Sequence, residues 1–387
     1  MPPPASSMDV SDFDFHLPRE LIAQEPARDR GAARLLHLPR AGGLIEHLTV
    51  TSLPALLGRG DVLVVNNTRV FPARLMGRRV PSGGTVECLL LSRLPESEER
   101  EWLGCAPTDS EQVWEALMHP GQKLMPGALA EFDGTSLERS LLVGVPRPSE
   151  ARSGALHVEV LDRRFHGRRA VRVWTDDGDP VSARVDAIGQ VPLPPYIHRA
   201  ATPDDSGRYQ TVFARHRGSV AAPTAGLHFS DALLGALREE GVELVEITLH
   251  VGYGTFQPVR VTRVEDHTLA AERYTIAPAA ADALNRALGD GRRIVAVGTT
   301  STRTLEAAAL AHGGRVEPGC GATDLFIHPG FRFQVVGGLM TNFHLPRSSL
   351  LVLVAAFAGR ERVLAAYHEA IAARYRFYSY GDAMLIS

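Results

Sequence analysis

At 387 residues the chain is longer than one typical hydrophobic core supports, so two domains are expected. With 44% hydrophobic and 22% charged residues, its composition is that of a globular protein in water. The net charge of -3 excludes a basic field over the whole molecule, so any nucleic-acid surface must be a local patch. Lys123 is the only lysine, which excludes a lysine-containing phosphate loop and leaves no lysine in a motif for Schiff-base chemistry.

The cysteines and the apolar runs restrict the compartment. Cys88, Cys105 and Cys320 lie far apart in sequence and predict neither a zinc knuckle nor a disulfide framework. Residues 1–12 lack the basic and apolar regions of a signal peptide, and we expect a disordered tail there. The longest apolar run, 350–358, is far shorter than the ~20 residues that span a bilayer. We therefore expect a cytoplasmic protein without membrane association.

The first part of the chain alternates short strands and turns. It predicts a β-hairpin, a helical turn and a buried strand, at 33–38 with 43–50, 53–57 and 61–65. Asn66, Asn67 and Arg69 follow the buried strand directly. Asparagines are typical of turns, and an adjacent arginine is equally suited to an anion or a base. Both interpretations, a simple turn and a ligand contact, stay open at this point.

From Pro72 to about Trp174, short strands rich in Val and Leu recur between Pro and Gly. Strands at ~8–12-residue spacing with turn signals predict a small β-barrel or sandwich. Its last predicted hairpin carries the densest basic patch of the chain, formed by Arg163, Arg164, Arg168, Arg169 and Arg172. A charge run on a hairpin is commonly a solvated surface, and the sharper alternative is contact with an RNA backbone.

Beyond a proline-rich connector at 190–197, helices and strands alternate. Helices are predicted at 280–288, 302–311, 348–358 and 361–374, and strands at 293–297 and 324–327. Such alternation indicates an α/β layer. The predicted fold class is therefore an α/β main domain with an inserted β-barrel domain. The expected limits are 13–68 with 178–387 for the discontinuous catalytic domain, and 69–177 for the barrel-like insertion.

A helix–strand unit at 219–259 has polar loops at both ends. Thr224, Gly226 and His228 precede the helix, which Ser230 or Asp231 can cap. The strand that follows ends in a second loop with His250, Gly252 and Gly254, whose glycines permit close approach of a ligand. Either loop alone is compatible with ordinary turns, whereas the two on one unit favour an active site.

A cluster of hydroxyls opens the helix after the predicted strand 293–297. Thr299, Thr300, Ser301 and Arg303 belong to this stretch, where free N–H groups and hydroxyls could hold a carboxylate or phosphate. Plain capping explains one such hydroxyl and not a succession of them. The stretch is not a dinucleotide fingerprint, and the Gly252-x-Gly254 pair is not followed by a helix, so a common methyltransferase fold is poorly supported.

Two more segments carry polar residues beside apolar ones. Asn342 and His344 precede the apolar helix at 348–358, and the alternatives are a ligand site or a capped core helix. Arg376, Phe377 and Tyr378 interleave rings with a cation, as expected for unpaired RNA, although core packing explains some of the rings. None of the 15 histidines lies in a tight metal-ligand pattern, so we expect no metal.

Several long blocks together resemble one family, the S-adenosylmethionine:tRNA ribosyltransferase-isomerases of queuosine biosynthesis. These blocks are NNTRVFPARL (66–75), VPLPPYI (191–197), YQTVFA (209–214), VAAPTAGLHF (220–229), TLHVGYGTFQPV (248–259), EDHTLAAE (265–272), VAVGTTSTRTLE (295–306), TNFHLP (341–346) and RFYSYGDAMLI (376–386). The resemblance covers nearly the whole chain after Asp12 and lacks a motif only at about 93–180.

The resemblance implies an unusual use of S-adenosylmethionine as a co-substrate. The family transfers the ribosyl moiety to the aminomethyl group of 7-aminomethyl-7-deazaguanine at the tRNA wobble position. The ribose is isomerised to give epoxyqueuosine, and adenine and methionine are released. The fold that the resemblance implies is also an α/β domain with an inserted barrel, and the implied partner is a tRNA anticodon loop that carries the modified base.

This chemistry needs a base at the ribose 5′ carbon and a donor at the departing adenine, and histidine suits both roles near neutral pH. We expect the catalytic residues among His228, His250 and His344, with His228 or His250 as the base. The expected cofactor-binding residues are Thr224, Gly226, Gly252, Gly254, Thr299, Thr300, Ser301 and Arg303. The expected substrate- and tRNA-binding residues are Asn66, Asn67, Arg69, Asn342, Arg376, Phe377 and Tyr378. We also expect His228 and His250 on one face of the sheet.

Two other functions remain as alternatives to this one. A catalytically inactive paralogue could hold tRNA without turnover, although a pure binder would not need all of the polar loops. A methyltransferase that uses the same co-substrate lacks the expected glycine fingerprint here. A monomer is expected, and the sequence identifies no protein partner.

Overall fold

The computed structural model describes residues 8–134, 154–256 and 259–387. The chain divides into two compact units. The first comprises the segment up to Val70, Pro194–Ala200 and Gly207–Ser387, and the second comprises Phe71–Leu193 and Ala201–Ser206. Among the described residues, none of the helices combines the length and apolar character needed to cross a membrane.

The strands, in chain order, are β1 Arg34–Leu38, β2 Glu46–Thr49, β3 Val62–Asn66, β4 Thr68–Val70, β5 Arg74–Val80, β6 Thr85–Arg93, β7 Glu111–His119, β8 Leu129–Phe132, β9 Leu156–Arg163, β10 Arg168–Thr175, β11 His216–Ser219, β12 Glu243–Leu249, β13 Glu272–Ile276, β14 Ile294–Val297, β15 Gly319–Thr323, β16 Gly338–Asn342 and β17 Ala383–Ile386. The helices are α1 Leu53–Leu56, α2 Glu96–Leu103, α3 Val181–Ile188, α4 Asp205–Arg208, α5 Asp231–Glu239, α6 Pro278–Gly289, α7 Thr299–Ala311, α8 Ser349–Ala358 and α9 Arg360–Ala372.

A nine-stranded mixed sheet forms the centre of the first unit, in the order β15-β13-β12-β3-β14-β16-β17-β1-β2. The neighbours β12, β3, β14 and β16 are parallel to one another. Every residue of β3, β14 and β16 is buried, as expected for strands whose two faces are both covered. The carboxyl ends of four adjacent strands therefore meet at one edge of this sheet.

The two faces of this sheet pack into two separate hydrophobic cores. Val62 and Val64 of β3 join one core, together with apolar residues of α6, α7, α8 and α9. Leu63 and Val65 of the same strand join the other core, with α1 and α5. This division follows from the two-residue period of a strand, which sends successive side chains to opposite faces.

The second unit contains a closed antiparallel barrel in the order β10-β7-β6-β5-β8-β9. Closure pairs every strand on both sides and leaves no edge. Cys88 of β6 lies inside with no exposed surface, and burial raises the pKa of its thiol to about 12. The predicted fold class, an α/β main domain with an inserted β-barrel domain, is confirmed.

The basic hairpin of the barrel, β9 with β10, has most of its arginines already engaged. Arg168 pairs with Glu115 at 2.9 Å, and Arg164 and Arg172 pair with Glu98 and Glu111. The buried Arg169 donates to the carbonyl oxygens of Leu124, Gly167 and Gly121. Arg163 alone of the five is exposed without a carboxylate partner among the described residues. The hairpin is therefore a poorer phosphate site than its sequence suggests.

Two local predictions need correction. The strand predicted at 324–327 is wrong, because the strand is Gly319–Thr323, which pairs antiparallel with β13. Glycines lower the strand propensity of this segment, so the sequence does not predict a strand there; pairing with β13 makes it one. Residues 9–12, assigned to the tail, are folded: Asp9 bridges to Arg263, and Val10–Phe13 form a short 3-10 helix. Residues 1–7 lie outside the described residues.

Candidate active site

A cavity lies at the carboxyl edge of the parallel strands in the first unit. Its walls come from the loops that follow β12, β14 and β16, together with three other loops. The lining residues are Tyr196, 221–225, Val251, 298–300, Thr341, Asn342, His344, Leu350, Tyr378 and Ser379. In open α/β sheets, ligands bind outside the carboxyl ends of the strands, which makes this cavity the candidate site.

The hydroxyl cluster at the start of α7 is largely turned inward. Gly298, with a φ of 90°, is the N-cap residue and offers no side chain. Ser301 donates to the Val297 carbonyl at 2.8 Å, and Thr304 donates to the Thr300 carbonyl at 3.0 Å. The Thr300 hydroxyl differs, because it is buried and has no hydrogen-bond partner among the residues that the structure describes. Thr299 and Thr300 line the cavity, whereas the Ser301 hydroxyl bonds its own helix and its cofactor contact stays a prediction.

Arg303 is occupied within the protein rather than directed at a ligand. Its guanidinium pairs with Glu272 at 2.7 Å and also donates to the carbonyl oxygens of Leu325 and Thr323. Both side chains of this ion pair are only 7% exposed. Glu272 additionally accepts the Gly252 N–H at 2.9 Å, so the pair fixes the loop after β12. Arg303 therefore has a structural role, and its predicted cofactor contact stays a prediction.

Asn342, the last residue of β16, is buried between His228 and the cavity. Its amide nitrogen donates to the Tyr378 carbonyl at 3.0 Å and to His228 Nε2 at 3.1 Å. Its amide oxygen is buried and has no partner. His228 lies in the 3-10 helix Thr224–His228 and is absent from the cavity lining, whereas Asn342 contributes to it.

His228 and His344 are neutral at physiological pH. Burial lowers the pKa of His228 to about 4, against a smaller opposite effect of Asp382. Burial also lowers the pKa of His344 to about 3. His344 Nε2 lies 2.9 Å from the Thr341 hydroxyl, and its backbone N–H donates to the Tyr367 hydroxyl at 3.0 Å. Each imidazole therefore has a ring nitrogen committed to a neighbouring side chain.

His250 follows β12 and is only half-buried. Its Nδ1 lies 2.9 Å from the Thr68 hydroxyl, which lies 2.7 Å from the Ser219 hydroxyl. Ser219 in turn accepts the Val251 N–H at 2.8 Å. Burial, followed by the charge of Arg273, lowers the pKa of His250, so its ring is held in the neutral form. An imidazole oriented through Nδ1 is the arrangement that general bases commonly use.

Asn66 and Asn67 connect β3 to β12. The Asn66 amide donates to the Leu249 carbonyl at 2.9 Å and accepts the Leu249 N–H at 3.0 Å. The Asn67 amide donates to Glu246 and accepts from the Thr248 hydroxyl. Both amides are engaged within the protein, and the predicted contact of Asn66 and Asn67 with substrate or tRNA stays a prediction. Arg69 of β4 is exposed, and its predicted contact stays a prediction.

The segment 376–382 is folded into the first unit. Phe377 has no exposed surface and packs against Phe343 and Tyr367, and its contact with the anticodon loop stays a prediction. Arg376 donates to the carbonyl oxygens of Tyr380 and Glu25. Tyr378, with a φ of 76°, lines the cavity and meets the Tyr196 ring edge-on at 3.7 Å between centroids.

The remaining predicted binding residues divide between the cavity and the packing around it. Thr224 lines the cavity. A Cβ on Gly226 would lie 2.7 Å from Phe213, so close packing explains this glycine. Gly252 and Gly254 contribute no lining atoms, and a Cβ on either would meet only ordinary contacts. No cluster of His, Cys, Asp or Glu suited to a metal ion occurs in the described part of the chain.

His228 and His250 lie over different strands of the sheet. His250 follows β12, while Asn342, the partner of His228, ends β16. In the order β12-β3-β14-β16, three interstrand spacings separate these strands, roughly 14 Å at ~4.8 Å each. The strands beneath the two histidine contacts are therefore not neighbours in the sheet.

Some residues of the site carried no signal in the sequence. Thr68 and Ser219 orient His250, but they lie 151 residues apart in sequence. The pairing of β4 with β11 brings their hydroxyls together. Tyr196 and Ser379 come to the cavity from distant segments, and their hydroxyls are hydrogen-bonded to each other. Glu272 lies in the EDHTLAAE block, and its spacing from Arg303 gave no indication of an ion pair.

The comparisons with known proteins identify the family of this chain. A family profile described as queuosine biosynthesis protein matches residues 10–386. The chain belongs to this family. Relatives named S-adenosylmethionine:tRNA ribosyltransferase-isomerase from Heliobacterium modesticaldum and Syntrophotalea carbinolica are 46% and 48% identical, over 98% of this chain and 100% of each relative.

A solved structure agrees with the fold of this family member. The crystal structure of an S-adenosylmethionine tRNA ribosyltransferase from Thermotoga maritima is 35% identical and has a TM-score of 0.51. The similarity covers 97% of this chain and 100% of that chain. The resemblance that the sequence blocks indicated is confirmed.

Proposed function

We infer that this chain is an S-adenosylmethionine:tRNA ribosyltransferase-isomerase. It transfers and isomerises the ribosyl moiety of S-adenosylmethionine onto 7-aminomethyl-7-deazaguanine at the tRNA wobble position. The products are epoxyqueuosine-tRNA, adenine and methionine. The observation that carries this inference is the full-length identity of 46–48% to relatives with that name.

The cavity supports the inference on chemical grounds. It combines an apolar lining of Ala, Pro and Val residues with a few convergent polar atoms, as small-molecule sites do. The positive sulfonium of the co-substrate acidifies the neighbouring ribose carbon, so a neutral base is needed there. His250 supports this role best, because it is neutral, half-exposed and oriented through Nδ1. Val251, its neighbour in sequence, lines the cavity.

The tRNA contacts are proposed at the level of the partner and one candidate residue. The partner is the anticodon loop that carries the modified base, and the exposed Arg69 is a candidate contact. We propose a cytoplasmic, monomeric enzyme that needs no metal, on the expectation that it meets its tRNA substrate in the cytoplasm.

One assay tests the proposed function against its alternatives. The protein is incubated with S-adenosylmethionine and tRNA that carries 7-aminomethyl-7-deazaguanine, and the small-molecule products are identified. Equimolar adenine and methionine are expected. S-adenosylhomocysteine would indicate methyl transfer, and tRNA retention without any product would indicate an inactive binder; either result contradicts the proposal.

A further inference from the structure

Two polar atoms in the cavity wall are buried without a partner in the first unit. They are the Asn342 amide oxygen and the Thr300 hydroxyl, in residues that are 2% and 6% exposed. A buried polar atom without a hydrogen bond costs about 1–3 kcal/mol, so native proteins rarely keep one without a purpose. Both residues line the cavity: Asn342 ends β16, and Thr300 lies in the first turn of α7, which follows the neighbouring parallel strand β14.

The orientation of the Asn342 amide is fixed by its neighbours. The Tyr378 carbonyl can only accept, so the atom that faces it must be the amide nitrogen. The same nitrogen faces His228 Nε2, which must therefore present its lone pair. His228 is thus a neutral imidazole with its proton on Nδ1, and the Asn342 oxygen is left as the acceptor on the remaining side.

We propose that the Asn342 oxygen and the Thr300 hydroxyl together bind the amino-bearing edge of a purine-type base, with His228 as the positioning residue for the Asn342 amide. An amide oxygen accepts from an exocyclic amino group, and a hydroxyl donates to an adjacent ring acceptor. This proposal rests on the proposed function, which supplies two such bases: the adenine of the co-substrate and the deazaguanine of tRNA.

Because the Thr300 hydroxyl lacks a hydrogen-bond partner among the described residues, removing it should affect ligand binding without affecting the stability of the fold. Thr300→Val removes a hydroxyl that makes no bond in the free protein, so its thermal unfolding midpoint should not fall. Thr304→Val, one turn later on α7, is the matched control, because its buried hydroxyl is bonded to the Thr300 carbonyl. The control should lose stability and keep its KM values.

Steady-state adenine release is measured with each substrate varied in turn. For Thr300→Val we expect a KM increase of about tenfold, the equivalent of one lost hydrogen bond. An increase for S-adenosylmethionine alone assigns the site to adenine, and an increase for tRNA alone assigns it to the deazaguanine. Unchanged KM values for both substrates in Thr300→Val and in Asn342→Ala would overturn the proposal.

The affinity for S-adenosylmethionine, measured by calorimetry, tests this proposal independently of whether the enzyme turns over. If the wild-type protein releases no adenine, the proposed function fails, and the affinity difference between wild type and Thr300→Val still tests whether the site binds adenine.

The positioning role of His228 is tested by the 15N chemical shifts of its imidazole ring. An Nδ1–H tautomer is expected at pH 7, and an Nε2–H tautomer or an imidazolium would contradict it.

Discussion

His250 is half-buried, whereas His228 and His344 are buried at 4% and 5% exposed, and His344 lines the cavity. Burial holds the latter two neutral, and each has a ring nitrogen bound to a side chain. Proton transfer to substrate needs a ring nitrogen that can meet the reacting atom. The sequence could indicate all three histidines, because each lies in a polar loop. It could not rank them, because burial depends on segments far apart in the chain.

Replacing His250 should therefore abolish most of the activity. We expect His250→Ala to lower kcat for adenine release by roughly 10²–10⁴, the usual loss for a missing general base. His216→Ala is the matched control, since this exposed neighbour contributes only its backbone carbonyl to the Thr68 contact. A kcat of His250→Ala within a few-fold of wild type, in folded protein, would exclude His250 as the base.

The two buried histidines should make the protein sensitive to acid. Their pKa values of about 4 and 3 in the folded state lie below the ordinary 6.5, so the unfolded state binds more protons as the pH falls below 6.5. Their contribution to stability is complete above pH 6.5 and is lost progressively as the pH falls, down to about pH 4 for His228 and about pH 3 for His344. Urea unfolding at pH 7, 6 and 5 should show this decrease.

His344→Gln provides the comparison for the acid sensitivity. Each neutral buried histidine contributes up to about 1.4 kcal/mol per pH unit to the slope below pH 6.5. The variant should therefore unfold with a shallower pH dependence than wild type. An identical slope in the two proteins would show that His344 is accessible to protons in the folded state.

At the scale of elements, the site depends on where strands end. The buried strands β3 and β14 were readable from their continuous apolar runs, and Ser230 caps α5 as the sequence indicated. The strand Gly319–Thr323 was not readable, because its glycines and alanine have low strand propensity and its order depends on pairing with β13. The order of strands in the sheet, which separates His228 from His250, is likewise a property of the whole chain.

The Arg303–Glu272 ion pair should behave as one unit that joins α7 to β13. Removing either partner alone leaves a buried charge, so Arg303→Met or Glu272→Gln should each lower the free energy of unfolding by about 3–5 kcal/mol. The double variant Arg303→Met with Glu272→Gln should lose less than the sum of the two single losses. Strict additivity in urea unfolding would show that the two side chains stabilise the fold independently.

At the scale of the whole molecule, the barrel was predictable as an insertion of short strands, and its charge distribution was not. Consecutive arginines in the sequence suggested free cations, whereas the fold places glutamates beside Arg164, Arg168 and Arg172. Those glutamates come from α2 and β7, and the pattern within the hairpin carries no information about them.

Neutralising the paired arginines should therefore change tRNA binding little. Each lost phosphate contact reduces the salt dependence of binding, the slope of log K against log salt, by about 1. We expect the triple variant Arg164→Ala, Arg168→Ala, Arg172→Ala to keep the wild-type slope. Arg163→Ala, which removes an exposed cation, is the comparison. A slope reduced by about 3 in the triple variant would restore the hairpin as a tRNA surface.

The strand β17 has a consequence for how the protein is made. It comes last in the sequence, yet it lies inside the sheet, between β16 and β1. During synthesis, β1 and β2 leave the ribosome more than 300 residues before the strand that joins them to the rest. Until Ala383–Ile386 emerges, the nascent chain holds two open strand edges, which chaperones and neighbouring chains can bind. The sheet can therefore be completed only after the whole segment between β1 and β17 has been synthesised.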